Sequence, residues 1–194
     1  MATARKAAPI SEAEYLEGEK ISDIKHEFVD GYVYAMTGAK AAHNRIAGNV
    51  HAAFHAHLRG KPCQPFMSDM KVKVGSKYFY PDVLVDCSDL PGDAYFTEQP
   101  VIIVEVLSSS TRRMDETTKR VAYMQIPSLQ AYVLIEQDFV DVEVSRRSSG
   151  WVSEHYFMGD SVGFEAIGLV VAVEEIYERV ENGDVKAWME SRLG

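Results

Sequence analysis

YFYPDVLVDC, residues 78–87, and VIIVEVL, residues 101–107, decide how this chain folds. The first is rich in β-branched and aromatic residues. The second is an almost unbroken apolar run of strand length, which predicts a central strand covered on both faces. Each carries an acid where none is expected. Period-2 geometry sets Asp82, Leu84 and Asp86 on one face of the first strand and Val83 and Val85 on the other, and Glu105 breaks VIIVEVL. A carboxylate in such a strand is costly unless something neutralises it. Two on adjacent strands can share one divalent cation, and Mg²⁺ or Mn²⁺ suits them, because Mg²⁺ takes a few carboxylate oxygens and keeps several waters. Taken singly, the acids have plainer uses: a turn cap after Pro81 accounts for Asp82, and a buried Lys or Arg accounts for Glu105.

Upstream, Phe66–Val74 reads as a strand joined to Tyr78–Cys87 at Gly75-Ser76. Before it, Ile46, Val50, Ala53, Phe54 and Leu58 recur at three- and four-residue steps, which predicts an amphipathic helix over Ala42–Leu58. Ile10–Lys25 reads as a short helix capped by Ser11, and Phe28, Val29, Tyr32 and Val33 flank the hairpin turn Asp30-Gly31. Downstream, Ser88–Pro100 is a long loop. A helix then runs from Ser108–Thr111 until Pro127 stops it, with Met114, Val121, Ala122 and Met124 as its apolar residues. Ala131–Ile135, Val140–Ser145 and Val152–Phe157 read as strands, and Ala172–Val180 as a last short helix. The order predicts one domain over residues 1–194, of class α/β (α+β), with a mixed central sheet flanked by helices.

With 46% hydrophobic and 25% charged residues the composition is that of a globular protein. No stretch reaches the roughly 18 to 20 apolar residues of a membrane span. Arg5 and Lys6 are followed by acids and not by an apolar core, so a secretory leader is not expected. Cys63 and Cys87 form no CxxC pair; a disulfide framework or a thiolate zinc site therefore has no support, and a reducing cytoplasm suits them. The net charge of −9 argues against a nucleic-acid partner. Yet Lys40–Phe79 holds seven basic residues against the single acid Asp69, a local surplus of +6, while the acids gather at the two ends.

PD followed, after a spacer, by an acid in an apolar strand resembles the PD-(D/E)XK nuclease superfamily, which has the restriction-endonuclease-like fold. The wider wording is similar to its Uma-two branch: HEFVDGYVYAM around Glu27, HNRIAGNV at His43, SDMKVKV, YFYPDVLV, VIIVEVLSSST, the helix with Asp115 and Lys119, IPSLQAYVLIEQD and GLVVAVEEIYERV. Carried over, the resemblance implies a metal-dependent endonuclease acting on nucleic acid, DNA ahead of RNA, with Asp82 and Glu105 as metal ligands. It also implies Glu27, on the family's first helix, as the acid completing the site. One position departs. The superfamily's lysine stands two residues after the second acid, where this chain has Leu107. Lys119 on the following helix is the replacement expected from the Uma-two pattern, with Lys73 as the second candidate. A plainer use of Lys119 is an i, i+4 pair with Asp115 on a solvated helix face. His43 is expected to touch substrate, and Lys71, Lys73, Lys77 and Arg112 to hold the phosphate backbone. Relatives of this kind often act as dimers, so a homodimer is compatible with the resemblance.

Other chemistries fare worse. His51 and His55 share a helix face, but the glutamate of HExxH is absent. Ser108–Ser110 follow the buried strand without a GxSxG elbow and suit a helix cap. The remaining rival is a nuclease-fold protein that has lost catalysis and serves as a binding or scaffold module.

Overall fold

The computed structural model describes residues 8–192, so Arg5 and Lys6 lie outside the described residues. The first helix, α1 (Glu12–Ile21), starts at a reciprocal cap in which Ser11 Oγ accepts from Glu14 N–H and the Glu14 carboxylate accepts from Ser11 N–H. It ends before the predicted Lys25, because Ser22 is already extended. β1 (His26–Val29) and β2 (Tyr32–Ala35) form the expected hairpin. Its two turn residues, Asp30 and Gly31, have φ of 50° and 94°, the positive pair that a two-residue turn demands. A Cβ at Gly31 would come within 2.8 Å of Pro9 Cβ, so only glycine fits. Next comes α2 (Ala41–Leu58), which buries Ile46, Val50, Phe54 and Leu58 as its spacing predicts.

The two long strands expected over 66–74 and 78–87 are each divided. β3 (Gln64–Met67) and β6 (Val83–Asp86) pair in one sheet, while β4 (Lys71–Val74) and β5 (Lys77–Phe79) pair in another. Local chemistry explains both breaks: Ser68 takes a left-handed φ of 58°, and Pro81 has no N–H to give a ladder. β7 (Phe96–Thr97) forms inside the predicted loop and pairs in parallel with β4. β8 (Pro100–Leu107), β9 (Ala131–Glu136), β10 (Val142–Arg146) and β11 (Ser153–Tyr156) follow the sequence reading closely. Between β8 and β9, a π-helical turn (Met114–Lys119) runs into α3 (Arg120–Tyr123). The C-terminal part adds β12 (Ser161–Phe164), β13 (Leu169–Ala172), α4 (Val173–Ile176) and α5 (Gly183–Ser191); the single helix predicted over Ala172–Val180 is thus mostly shorter than read.

The larger sheet is six-stranded in the order β11-β10-β9-β8-β6-β3, with β8 and β9 parallel and the other pairs antiparallel. The second is five-stranded, in the order β2-β1-β5-β4-β7. β8 is internal as predicted. Its Ile102, Val104 and Val106 meet α2 in the main core, and Ile103 and Leu107 meet α3 in a second core with Phe79, Leu84 and Tyr132. The architecture is a mixed α/β fold with helices packed on its sheets, and none of the described helices is long and apolar enough to cross a membrane.

The cysteine reading is corrected. Cys63 and Cys87 form a disulfide across 24 positions of sequence. The β3–β6 register pairs Gln64 with Asp86, so the next residues outward face one another. Sequence spacing alone carries no trace of that ladder.

Candidate active site

Asp82 lies where the chain leaves the five-stranded sheet and enters the six-stranded one, and the site is built across this junction. The first member comes from β8, where alternation turns Glu105 to the same side as Ile103 and Leu107. The second comes from β1: Glu27 is opposite Tyr34 and on the reverse side of the strand from Phe28, which packs on α1. Glu27 was read through the resemblance as a helical residue; it stands instead on a strand.

Lys119 Nζ sits between these acids, 2.8 Å from Glu27 Oε1, 3.0 Å from Glu105 Oε1 and 3.0 Å from Asp115 Oδ1. All four residues are buried. Tyr123 donates its hydroxyl to Glu105 Oε1 at 3.2 Å, Tyr80 N–H donates to Glu27 Oε1 at 3.3 Å, and the Phe79 ring lies 6.0 Å below the ammonium. The Asp115–Lys119 pair expected on a solvated face therefore forms on the inner face. Val121, one of the apolar residues of the predicted helix, is 63% exposed. The wide turn of Met114–Lys119 shifts the helix register at this point, which hydrophobic periodicity at 3.6 residues does not anticipate.

Asp82 precedes β6 and is not inside the strand. Its Oδ2 accepts from Val106 N–H at 2.7 Å and lies 3.3 Å from His43 Nε2. Because Val83 pairs with Val104, one further step of the ladder sets Asp82 opposite Glu105. His43, in the first turn of α2, is buried, and its Nδ1 has no hydrogen-bond partner among the described residues.

The electrostatics follow from four carboxylates and one ammonium in a dry place. Burial pushes the Glu105 carboxyl well above the usual range; Lys119 opposes this, while Asp115, Asp82 and Glu27 add to it. Asp115 is raised too, chiefly by burial and against the pull of Lys119. For Lys119 burial works against the charge, but Glu105, Glu27 and Asp115 outweigh it and hold the ammonium well above its ordinary value. Burial likewise depresses His43, and the bond to Asp82 with its charge reverses the sign, so its net shift is upward.

Among the described residues no three or more His, Cys, Asp or Glu side chains are grouped to hold a metal. However, Asp82 and Glu105 each use only one oxygen in the contacts above, and the surplus of negative charge is of the kind a hard cation offsets. Two carboxylates plus water is a donor set that fits Mg²⁺, which keeps most of its waters.

The other predicted contact residues do not join this group. Lys73 Nζ pairs with Glu12 at 2.8 Å on the α1 side. Lys77 pairs with Asp30 at 2.9 Å, and Arg112 forks onto Glu136 and reaches Glu116 at 3.3 Å. Lys71 is buried against the rings of Tyr80 and Tyr95, at 5.0 and 5.6 Å, and desolvation lowers its pKa. Asp115 and Tyr123 were missed as site residues; the only signal was the i, i+4 spacing of Asp115 and Lys119.

The sequence profile described as "Uma2: Putative restriction endonuclease" matches residues 12–173. The chain belongs to the Uma2 family. Two uncharacterized proteins from Synechocystis sp. (strain ATCC 27184 / PCC 6803 / Kazusa) resemble it. One is 34% identical over 175 residues, covering 87% of this chain and 91% of the relative; the other is 34% identical over 143 residues, covering 69% and 78%. Its fold is similar to the crystal structure of a "putative nuclease belonging to DUF820" from Anabaena variabilis, with a TM-score of 0.74 and 18% identity over 89% of this chain and 100% of that one. At that identity the likeness is one of fold. In this Uma2 chain, Leu107 fills the position two residues after Glu105 and packs in the second core, while an ammonium reaches the same carboxylate from Lys119 on the next helix.

Proposed function

We propose that this chain is a metal-dependent endonuclease that hydrolyses phosphodiester bonds of nucleic acid, DNA first among substrates to test. The observation that carries the reading is the meeting of Glu27, Glu105 and Asp115 on one buried Lys119, with Asp82 beside Glu105 in the segment that leads into β6. Buried acids gathered from separate elements are expensive to keep, and a hydrolytic site gives them a use. Asp82 and Glu105 would hold Mg²⁺ or Mn²⁺, which supplies Lewis acidity toward a phosphoryl oxygen and an acidified bound water.

The side chains have separable tasks. Val106 N–H and His43 fix the Asp82 carboxylate, and Tyr123 and Lys119 fix that of Glu105, so neither acid must reorganise during reaction. The Lys119 ammonium faces the charge that develops on the phosphate and helps to orient the attacking water. Glu27 and Asp115 hold that ammonium in place. Lys71 has no acid partner within salt-bridge distance among the described residues but is buried against Tyr80 and Tyr95, whereas Lys73, Lys77 and Arg112 are each paired with an acid, so a phosphate would have to displace a ring or a carboxylate to reach any of the four.

A second reading has its own support: Lys119 already compensates part of the acid cluster, and the chain carries a net charge of −9, as suits a binding or scaffold module of nuclease fold. The two are separated by incubating plasmid and single-stranded DNA with the protein in Mg²⁺ or Mn²⁺. Native protein is expected to cut in the presence of metal only, and Asp82→Ala to lose at least about 100-fold in rate, the low end for removal of a preorganised electrostatic group. Equal cleavage by both proteins, or none by the native one, removes the enzyme reading.

A further inference from the structure

Of the ten tyrosines, Tyr15, Tyr78, Tyr80, Tyr123, Tyr132 and Tyr177 are buried. Tyr156 is half-buried and Tyr95 is exposed in the loop before β7, while Tyr32 and Tyr34 stand together on β2 at 41% and 44% exposure. This strand is one of the two outer strands of the five-stranded sheet, and no charged residue or proline occurs between Asp30 and Lys40. Natural edge strands normally carry such guards, so an unguarded aromatic edge calls for an occupant.

Register fixes which way the rings point. Directly opposed residues of an antiparallel pair project to the same face. Tyr34 is opposite Glu27 and Tyr32 opposite Val29. Glu27 reaches Lys119, and Val29 packs against the second core, which lies on that side of the sheet, so both rings share the face of the carboxylate site. Val33, opposite Phe28, faces the α1 side instead.

We propose that Tyr32 and Tyr34 form a stacking platform for unpaired bases of a single nucleic-acid strand leading to the carboxylates. Residues two apart on a strand lie about 6.6–6.8 Å apart, about twice the 3.4 Å step between stacked bases of a duplex strand. Bases within a duplex already have both faces covered. Rings at the wider spacing match bases that have been drawn apart, and an uncharged phenol surface suits base faces better than phosphates. A second copy of the chain, pairing β2 with β2, is the other occupant to consider. It needs only the strand's open backbone, gives no reason for rings on the site's face, and brings together two chains of charge −9. The proposal rests on the nuclease reading for what happens to the strand, although the stacking contact itself requires no metal.

The test is fluorescence anisotropy in EDTA with a labelled oligothymidylate and with a duplex of the same length, on native protein, Tyr32→Ala, Tyr34→Ala and Tyr34→Phe, each checked for an unchanged thermal melt. Each alanine variant is expected to bind the single strand about 5- to 150-fold more weakly, the range measured for loss of one stacked base. Duplex binding stays as it was, and Tyr34→Phe binds as the native protein does. No single-strand binding by the native protein, equal binding by the alanine variants, or a Phe variant as weak as the Ala variant overturns the proposal. So does sedimentation showing a native dimer that the alanine variants disperse. Metal-dependent cleavage that persists undiminished in the alanine variants, with equal binding, sinks this inference and leaves the nuclease reading intact. Tyrosine-dependent binding without any cleavage supports the inference and removes the catalytic reading.

Discussion

Lys119 is the residue on which the site's stability turns. It offsets three buried acids, and breaking a buried ion pair from one side typically costs about 3–5 kcal/mol because the remaining charges are stranded. Lys119→Met is therefore expected to lose roughly that much stability near pH 7.5 in urea denaturation. The pH dependence has a definite sign. Burial and neighbouring acids already raise Glu105 and Asp115 in the native protein, and loss of Lys119 removes the group that opposes those shifts. A raised carboxyl contributes stability below its unfolded value, about 4.5 for Glu and 3.8 for Asp, and loses it as pH rises through the folded value. The deficit of the variant should therefore shrink as the pH is lowered toward 5, and a deficit independent of pH would show that the acids are not the cause. Asp82 and Glu105 stood out in sequence because each interrupts an apolar strand. Asp115 did not, since an i, i+4 pair looks the same inside a protein as outside until tertiary packing chooses the face.

At the scale of elements, the strongly periodic pieces were legible: α2, the Asp30-Gly31 hairpin and β8 all form where hydrophobic spacing and turn chemistry put them. The division of 66–74 and 78–87 between two sheets was not. A β-rich run says that a strand forms, not which neighbour it pairs with, and the breaks at Ser68–Met70 and Tyr80–Asp82 are decided by pairing in both sheets. The disulfide is hidden for the same reason, because it depends on the β3–β6 register. It ties β3 to β6 at the end of the pair away from Asp82. Closing a loop of 24 residues is expected to contribute about 3 kcal/mol. Urea denaturation of the native protein should lose about that much on reduction, whereas Cys63→Ser should be indifferent to reductant; an unchanged midpoint for the reduced native protein would contradict the tie.

Over the whole molecule, the fold brings acids from β1, β8, the π-helical turn and the crossing before β6 into one place, although they span Glu27 to Asp115 in sequence. The net charge of −9 concealed this, because a global sum says nothing of where charges sit. What the sequence order did convey was the nearness of Asp82 to Glu105 in the fold, since successive strands tend to be neighbours. The direct measurement is calorimetric titration with Mn²⁺ of the native protein, Asp82→Ala and Glu105→Ala, each with its fold checked by circular dichroism. One ion is expected to bind the native protein, and each substitution to weaken it at least about 10-fold, the low end even for residues that only support a metal ligand. Heat of binding that is the same in all three proteins would contradict the shared ion.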